Sequence, residues 1–394
     1  MNKINVYSEC DKLKTVLVHR PSGELKNIYP EILDQLLFDE LPYLEMAQKE
    51  HDYFVDKLKD EGVEVIYCED LVEEVLKDKK IKELFIEEFV DEALDDVKEK
   101  EIAKDFYNKI QNEKDLVEAF ESGIRSKEII KSYDIKLDRK LFIPPMPNLY
   151  FQRDPFSFIG EGVAISNFRY DIRKPETLFA KYIFKYHKDF KDTPIYYDRD
   201  CEGSLEGGDI IVLSDKILAV GISQRTSFDA IKQLSKNLLP NSKFEKVLAI
   251  SIPKRRESMH LDTVFTVVDH NKFLVHSMAS ETTEIFTIEY DGDLIINKEN
   301  DNLLNTLKKH YRDDVEFIKC GGDSEIDGSR DQWNDGANCL CIKPSEIVVY
   351  DRNTVTNKIL QDKNIETVII KSGELSRGRG GPRCMSMPIR RLND

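Results

Sequence analysis

The 394-residue sequence predicts an α/β fold in which one unit, two short strands followed by a helix and a third strand, occurs five times. Two observations predict it. Apolar runs typical of strands alternate with helical patterns in a constant order, and the one long segment that departs from this order is helical throughout. Each unit can bury a face only beside a neighbour, so five units indicate a ring around a central channel. A doubly wound sheet is the competing arrangement.

The first unit begins with the strand pattern Lys14–Arg20, which ends before a proline. A helical pattern covers Glu45–Lys59 and stops at Gly62, a helix-ending signal. The strand pattern Val63–Cys68 completes this unit.

The composition then changes. From Glu69 to about Lys140 the chain is rich in Glu, Lys, Asp and Leu, with apolar residues at helical spacing and no proline. We expect one domain over 1–394, with a helical subdomain inserted at 70–141. The proline-rich hinge Ile143–Asn148 leads back to strand patterns.

Four further units follow this hinge. The second unit comprises Pro155–Ser166, Pro175–His187 and Pro194–Tyr197, and the third comprises Asp209–Val220, Ser227–Leu238 and Lys246–Ser251. The fourth comprises Val264–Ser277, Asn302–Tyr311 and Val315–Lys319, with a longer connection before its helix. The fifth comprises Asn338–Tyr350, Val355–Lys363 and Thr367–Lys371.

Composition also excludes several classes of protein. The net charge of −16 argues against binding to nucleic acid or to an anionic membrane. No apolar run reaches the roughly 18 residues of a membrane span, and the N-terminus lacks the apolar core of a signal peptide, so we expect a cytoplasmic protein. The seven scattered cysteines argue against disulfides. We expect no metal and no cofactor; a homo-oligomer is compatible with the sequence.

Ionisable side chains stand beside turn-forming residues at four places. These are Asn148-Leu-Tyr-Phe-Gln-Arg-Asp154-Pro155, Glu206-Gly-Gly-Asp209, Met259-His-Leu-Asp-Thr263 and the C-terminal loop Gly378-Arg-Gly-Gly-Pro-Arg-Cys384. Each has an ordinary structural interpretation: a cap, a hairpin turn, a structural histidine and a solvated tail.

Together, however, these places supply the groups of a nucleophilic site. A cysteine with a histidine suggests thiolate catalysis with an acid/base partner. Arg377, Arg379 and Arg383 surround Cys384 in sequence, and positive charge favours a thiolate. Carboxylates suit a guanidinium, since each accepts two of its parallel N–H groups. Acids such as Asp154 therefore indicate a site that holds a guanidinium while sulfur attacks its central carbon.

These motifs resemble those of the arginine deiminase family, within the guanidino-group-modifying superfamily. In chain order they are Thr15-Val-Leu-Val-His-Arg-Pro21, Phe151-x-Arg-Asp154-Pro, Arg173-x-x-Glu176-Thr, Glu206-Gly-Gly-Asp209, His260-Leu-Asp262-Thr and Cys384-Met-Ser-Met-Pro388. The resemblance implies a five-bladed, pseudo-symmetric α/β propeller of ββαβ units with an inserted α-helical subdomain. It also implies hydrolysis of free L-arginine by water to L-citrulline and ammonia, in arginine catabolism.

The same resemblance implies roles for individual residues. Cys384 corresponds to the nucleophile that forms an S-alkylthiouronium intermediate, His260 to the acid/base and Glu206 to the partner of that histidine. Asp154 and Asp262 correspond to the acids that bind the guanidinium. The implied substrate-binding residues are Asn148, Arg173, Asp209, Arg225, Gly378 and Arg379.

Other activities of this superfamily are the alternatives. An amidinotransferase would pass the amidino group to an amine, and a methylarginine hydrolase is shorter and lacks the helical insertion. A peptidyl-arginine deiminase fits less well, because Arg173 and Arg225 would recognise a free carboxylate. A non-catalytic arginine-binding protein is a fourth alternative, against which the presence of Cys384 with His260 argues.

Overall fold

A computed structural model describes residues 3–281 and 284–392 of the chain. The strands are β1 (Lys12–Val18), β2 (Glu64–Tyr67), β3 (Ile124–Arg125), β4 (Leu141–Ile143), β5 (Phe156–Ile159), β6 (Gly162–Ile165), β7 (Ile195–Tyr197), β8 (Ile210–Val212), β9 (Ile217–Ile222), β10 (Lys246–Ser251), β11 (Phe265–Asp269), β12 (Lys272–Val275), β13 (Ile285–Tyr290), β14 (Leu294–Lys298), β15 (Glu316–Lys319), β16 (Leu340–Lys343), β17 (Glu346–Tyr350), β18 (Glu366–Ile370) and β19 (Met387–Leu392).

Helices separate these strands. They are α1 (Leu44–Asp60), α2 (Cys68–Leu76), α3 (Lys79–Ala93), α4 (Val97–Asn108), α5 (Glu113–Ser122), α6 (Ser126–Tyr133), α7 (Lys174–Tyr186), α8 (Phe228–Leu238), α9 (Leu303–His310), α10 (Glu325–Trp333) and α11 (Thr354–Asp362). Within the described ranges, no helix is both long and apolar enough to cross a bilayer.

Five sheets share one pairing pattern. In four of them an antiparallel hairpin is followed by a parallel strand: β5–β6–β7, β8–β9–β10, β11–β12–β15 and β16–β17–β18. The remaining sheet has the same pattern, but its first strand comes from the other end of the chain, because β19 pairs antiparallel with β1 and β1 pairs parallel with β2. The repeated unit predicted from the sequence is therefore present in each sheet.

Three elements differ from the sequence-based expectation. The strand β19 follows the cysteine loop, where no strand was predicted, and its residues are mostly buried against β1. The long connection in the fourth unit contains β13 and β14, which extend the sheet of β10 instead of their own unit. Cys68, predicted as the end of a strand, is the first residue of α2.

Local sequence signals account for the helix ends that were predicted well. The predicted helix Glu45–Lys59 is found as α1, one residue longer at each end. The side chain of Ser227 accepts a hydrogen bond from the backbone N–H of Ala230 and so caps α8.

The helices α2 to α6 lie between β2 and β4 in the chain, as the composition of that segment predicted. Their apolar faces pack on α7 through an aromatic cluster centred on Phe85. Its ring centroid lies 4.9 Å from that of Phe120 in α5, 5.8 Å from Phe179 and 4.8 Å from Tyr182, the last two in α7. Because aromatic rings bury large apolar areas, this cluster fixes the helices against α7 and the sheet β5–β6–β7.

Candidate active site

The segments that carry the predicted acids, His260 and Cys384 come just before the first strand of a sheet, whereas Arg173 and Arg225 each lie between a strand and the helix that follows it. Asp154 precedes β5, His260 precedes β11 and Cys384 precedes β19. Backbone hydrogen bonds join these segments directly: the N–H of Gly207 donates to Asp154 O (3.1 Å), and that of Arg153 donates to Cys384 O (3.0 Å). Residues far apart in sequence are thereby held at one place.

Most of the predicted residues line one small cavity of about 20 Å³. Its lining residues are Leu37, Asn148, Phe151, Asp154, Arg173, Arg225, Met259, His260, Thr263, Gly378, Arg379 and Cys384. Glu206, Asp209 and Asp262 are fully buried behind this lining. A cavity of this size holds about one water molecule, so the site is closed in this conformation.

His260 is surrounded by carboxylates. Its Nε2 lies 2.8 Å from Glu206 Oε2, and its Nδ1 lies 3.7 Å from Asp154 Oδ1. Burial lowers the pKa of this imidazole, but Asp154, the hydrogen bond to Glu206 and the charge of Asp209 outweigh burial and raise the pKa to about 9. His260 is therefore an imidazolium at neutral pH.

The two acids behind His260 differ in their own ionisation. Burial raises the pKa of Glu206, but Arg225 and His260 outweigh it and hold the pKa at about 2. For Asp209, burial outweighs the charge of His260 and the hydrogen bonds to the carboxylate, and raises its pKa to about 6. Its Oδ1 accepts the backbone N–H of Leu261 at 2.8 Å, so Asp209 positions the turn that carries His260.

The sulfur of Cys384 is buried beside a carboxylate. Its Sγ lies 3.6 Å from Asp262 Oδ2, and its backbone N–H donates to Asn338 Oδ1 at 3.0 Å. Burial, followed by the charges of Asp262 and Asp154, raises the pKa of this thiol well above its usual value. Without a bound cation, Cys384 is therefore a neutral thiol.

The neighbouring arginines do not produce the expected thiolate. Arg383 lowers the pKa of the thiol, but burial and the acids outweigh it, and the guanidinium groups of Arg377 and Arg379 are engaged elsewhere. Arg377 forms ion pairs with two glutamates at the surface. Arg379 lies over the ring of Trp333, with its guanidinium carbon 3.7 Å from the ring centroid. Arg383 donates to Asp262 Oδ2 at 2.7 Å, and this carboxylate offsets the charge of the guanidinium.

Two carboxylate oxygens at the site have no hydrogen-bond partner among the described residues, although they are buried: Asp154 Oδ1 and Asp262 Oδ1. The second oxygen of each acid is used, since Asp154 Oδ2 accepts from Arg173 Nη1 at 2.8 Å and Asp262 Oδ2 accepts from Arg383. Unpaired buried acceptors are costly and usually mark the place of a donor. Two buried carboxylate oxygens of acids near the sulfur atom thus accept no hydrogen bond from the described residues, and Asp154 Oδ1 faces His260 Nδ1 at 3.7 Å.

The arginines of the cavity are bound to different extents. Arg173 is held by both carboxylate oxygens of Glu176 (2.9 and 2.8 Å) as well as by Asp154. Arg225 makes longer contacts, 3.3 Å to Glu206 Oε2 and 3.9 Å to Met259 Sδ, and lies over the ring of Tyr170. Its Nε has no hydrogen-bond partner in the described part of the chain. The Nε and Nη1 atoms of Arg379 likewise have no hydrogen-bond partner among the described residues. Buried N–H donors thus remain available at Arg225 and Arg379.

Asn148 and Gly378 form a further part of the cavity wall. Asn148 Nδ2 donates to Leu36 O at 2.7 Å and so ties the cavity wall to the N-terminal segment. A Cβ atom at Gly378 would lie 2.1 Å from Tyr150 Oη, so only glycine allows this close approach.

Asn338 organises the site and was not singled out from the sequence. It accepts from the N–H of Cys384 and donates to Asp262 O at 3.2 Å, so it joins two catalytic candidates. It stands in the turn-rich run Asn334-Asp-Gly-Ala-Asn338, a signal of the same kind as those at the four places above. Arg383, expected from the sequence only to favour a thiolate, also donates to Glu9 Oε1 at 2.9 Å, and Glu9 stands in the segment Ser8-Glu9, which also resembles the family.

Comparison with known proteins identifies relatives of the whole chain. The chain is 48% identical to the arginine deiminase of Clostridium perfringens over 98% of this chain and 97% of that protein. It is 45% identical to that of Staphylococcus aureus, with 98% of each chain covered.

Solved structures of similar fold include an amidinotransferase from Microseira wollei, with a TM-score of 0.60 and 15% identity over 100% of this chain and 98% of that one. A second is a DDAH from Pseudomonas aeruginosa, with a TM-score of 0.52 and 13% identity over 95% of this chain and 99% of that one. At 15% and 13% identity these likenesses concern the fold alone. The family model for arginine deiminase matches residues 34–391. The chain therefore belongs to the arginine deiminase family.

Proposed function

We propose that this cavity binds free L-arginine and hydrolyses its guanidinium to L-citrulline and ammonia, with Cys384 as the nucleophile. The observation that carries the proposal is the pair of unpaired oxygens, Asp154 Oδ1 and Asp262 Oδ1, beside the buried sulfur. A guanidinium is planar, cationic and rich in N–H donors, so it supplies what these acceptors lack. Membership in the arginine deiminase family supports the same substrate.

The substrate cation also accounts for the activation of the thiol. Asp154 and Asp262 disfavour a thiolate in the closed site, as burial does. A bound guanidinium would neutralise these acids and stabilise negative charge on sulfur. Substrate binding therefore releases the thiol proton to solvent, and Cys384 becomes nucleophilic only when its target is present.

His260 then acts first as an acid and later as a base. Attack of the thiolate on the guanidinium carbon forms a C–S bond and a tetrahedral adduct. The imidazolium gives its proton to the departing nitrogen, the C–N bond breaks, and ammonia leaves a thiouronium. Neutral His260 next takes a proton from water, and the water oxygen attacks the same carbon to form a second tetrahedral adduct. The C–S bond then breaks, the remaining hydroxyl proton passes to the departing sulfur, and citrulline is released, which returns the thiol of Cys384 and the imidazolium. The ion pair with Glu206 keeps the imidazole protonated for the first step.

The amino-acid end of the substrate would be held by the arginines of the cavity. The unpaired N–H donors of Arg225 and Arg379 suit an α-carboxylate. Arg173 is fully engaged by Glu176 and Asp154 in the closed conformation, so we assign it the positioning of Asp154 as well as the expected carboxylate contact. Asn148 is the proposed hydrogen-bond partner at this end.

Binding requires the site to open. Arginine has far more volume than the cavity of about 20 Å³. Leu37 and the segment with Gly378 and Arg379 form the cavity wall nearest the chain's surface loops, and both Leu37 and Arg379 have left-handed backbone angles (φ 58° and 64°). We propose that these two segments move apart to admit substrate.

We further propose that the five sheets close into a five-bladed propeller of one domain over 1–394, with 70–141 as its helical insertion. Hydrogen bonds between segments of successive sheets support a ring. They run from Gly160 N to Val6 O (2.7 Å), Gly207 N to Asp154 O (3.1 Å), Leu261 N to Asp209 Oδ1 (2.8 Å), Ser345 N to Val268 O (3.0 Å) and Arg391 Nη2 to Cys341 O (2.8 Å). The expected cytoplasmic location and homo-oligomer stay predictions.

The test is product formation from L-arginine by the purified protein. Citrulline and ammonia should appear in equal amounts with no added amine, and Cys384→Ala should abolish both, whereas Cys201→Ala, away from the cavity, should keep the parental rate. Acid quenching during turnover should trap a thiouronium on Cys384, detectable by peptide mass spectrometry. Turnover that depends on an amine acceptor would favour an amidinotransferase, and turnover by Cys384→Ala would refute the assignment.

A further inference from the structure

A second group of ionisable side chains lies outside the active site, where the first sheet meets the helical insertion. His19 follows β1, Glu24 lies in a short 3-10 turn after it, Glu69 lies in α2 and Glu121 lies in α5. We call these four residues the His19 cluster. The reaction proposed above uses none of them.

The cluster is compact and deeply buried. His19 Nδ1 lies 2.8 Å from Glu69 Oε2 and 3.8 Å from Glu121 Oε1, while Nε2 lies 3.5 Å from Glu24 Oε1. The side chains of His19, Glu24 and Glu121 are 1%, 0% and 3% exposed. One imidazole is thus surrounded by three carboxylates.

The hydrogen-bonding capacity of this cluster is incompletely used. Within the described ranges, His19 Nε2, Glu24 Oε2 and Glu121 Oε1 are buried and have no hydrogen-bond partner. Native proteins rarely leave such atoms unsatisfied, because desolvation without a compensating contact is costly. A cavity of about 400 Å³ adjoins the cluster, and His19, Glu69 and Glu121 form part of its wall. Two of the three residues with unsatisfied atoms, His19 and Glu121, therefore border a space that can admit a small ligand.

We propose that the His19 cluster is a binding site for a divalent cation with the ligand preferences of Mn²⁺. One ligand atom each from His19, Glu24 and Glu121 lies within 4.8 Å of the others, and small side-chain movements would bring them to metal-binding distance. Carboxylate oxygens with a single imidazole nitrogen form a donor set for a hard or borderline metal, not for a thiol-seeking one. A double positive charge would also offset most of the charge of the three buried carboxylates.

Such a cation would join three parts of the fold. Its three ligands come from the end of β1, from the turn after it and from α5, while Glu69 of α2 holds His19 through Nδ1. The ion would therefore stabilise the attachment of α5 to the first sheet. This role is independent of the proposed reaction, so the two proposals can fail separately.

The experiment measures Mn²⁺ binding to the EDTA-treated, dialysed full-length protein by the loss of the electron paramagnetic resonance signal of free Mn²⁺. We expect one tightly bound equivalent. Glu24→Gln and Glu121→Gln, which keep side-chain size, should each lower the affinity by at least about tenfold. Glu69→Gln, at a position only 25% exposed, serves as the third variant where one of the other two does not fold.

Two matched controls separate this site from other acidic groups. Glu118→Gln alters an exposed acid on the same helix and cavity rim as Glu121 and should leave the affinity unchanged. His270→Ala disrupts the second group of potential ligands, Cys10, Asp11 and His270, and should also leave it unchanged. Absence of binding at millimolar Mn²⁺, equal binding by the cluster variants, or loss of binding in His270→Ala would overturn the proposal.

Discussion

Replacing Glu206 by glutamine tests the electrostatic core of the site. The carboxylate of Glu206 lies 2.8 Å from His260 Nε2 and supports a rise of the imidazole pKa from 6.5 to about 9. At about 1.4 kcal/mol per pKa unit, the whole environment favours the imidazolium by about 3 kcal/mol. Glutamine removes one of three nearby negative charges and leaves Asp154 and Asp209, so the pKa of His260 should fall by roughly one unit.

The direct measurement is a nuclear magnetic resonance titration of ring-labelled histidines in the Cys384→Ala background, which prevents turnover. The chain has seven histidines, and the resonance of His260 is identified by its loss in His260→Asn. Its midpoint should move from about 9 to about 8 in Glu206→Gln. At saturating arginine, the alkaline decline of kcat should move in the same direction, because His260 must carry a proton to release ammonia.

A second Glu–His pair provides the control. Glu299 Oε1 lies 3.0 Å from His310 Nε2, outside the active site, so Glu299→Gln should leave the titration of His260 unchanged. A midpoint near 6.5 in the parent protein, or an unchanged midpoint in Glu206→Gln, would refute the reasoning that carboxylates hold His260 protonated.

Three further outcomes are expected. Arg383→Met leaves two buried carboxylates without their shared cation and should lower the free energy of unfolding by about 3–5 kcal/mol. Arg139→Met removes an ion pair at the surface and should lower it by less than about 1 kcal/mol. Chemical denaturation of the two variants and the parent measures both changes. Trp333 is the chain's single tryptophan and is covered by Arg379, so arginine binding to the Cys384→Ala protein should change its fluorescence, and Arg379→Gln should remove that change. Because the pKa of His260 is raised in the folded state, its charge stabilises the fold fully below about pH 6.5, and this contribution is lost as the pH rises through about 9. The difference in unfolding free energy between the parent and His260→Asn should therefore shrink over that window. A difference that stays constant would contradict this expectation.

Local patterns identified the elements and many of the residues of the site. Two antiparallel strands with a parallel third appear in the four sheets that follow the hinge, since apolar periodicity and turn residues act within a few residues of one another; the first sheet completes the pattern only with β19 from the other end of the chain. Asp154, His260 and Cys384 were recognisable because each stands beside glycine, proline or another ionisable residue at a strand start. The strands β13 and β14 were not recognised, because they join a sheet whose other strands lie earlier in the chain.

The sequence by itself determined the fold class, the family and the set of chemical groups available for catalysis. Only the tertiary structure decided how these groups influence one another. It is burial beside Asp262 that makes Cys384 a neutral thiol, although three arginines surround it in sequence. It is the approach of Asn338 and Arg383 to Asp262 that connects the nucleophile loop to the acid. Burial and long-range contact set the strength of an electrostatic interaction, and neither is a property of neighbouring residues in the chain.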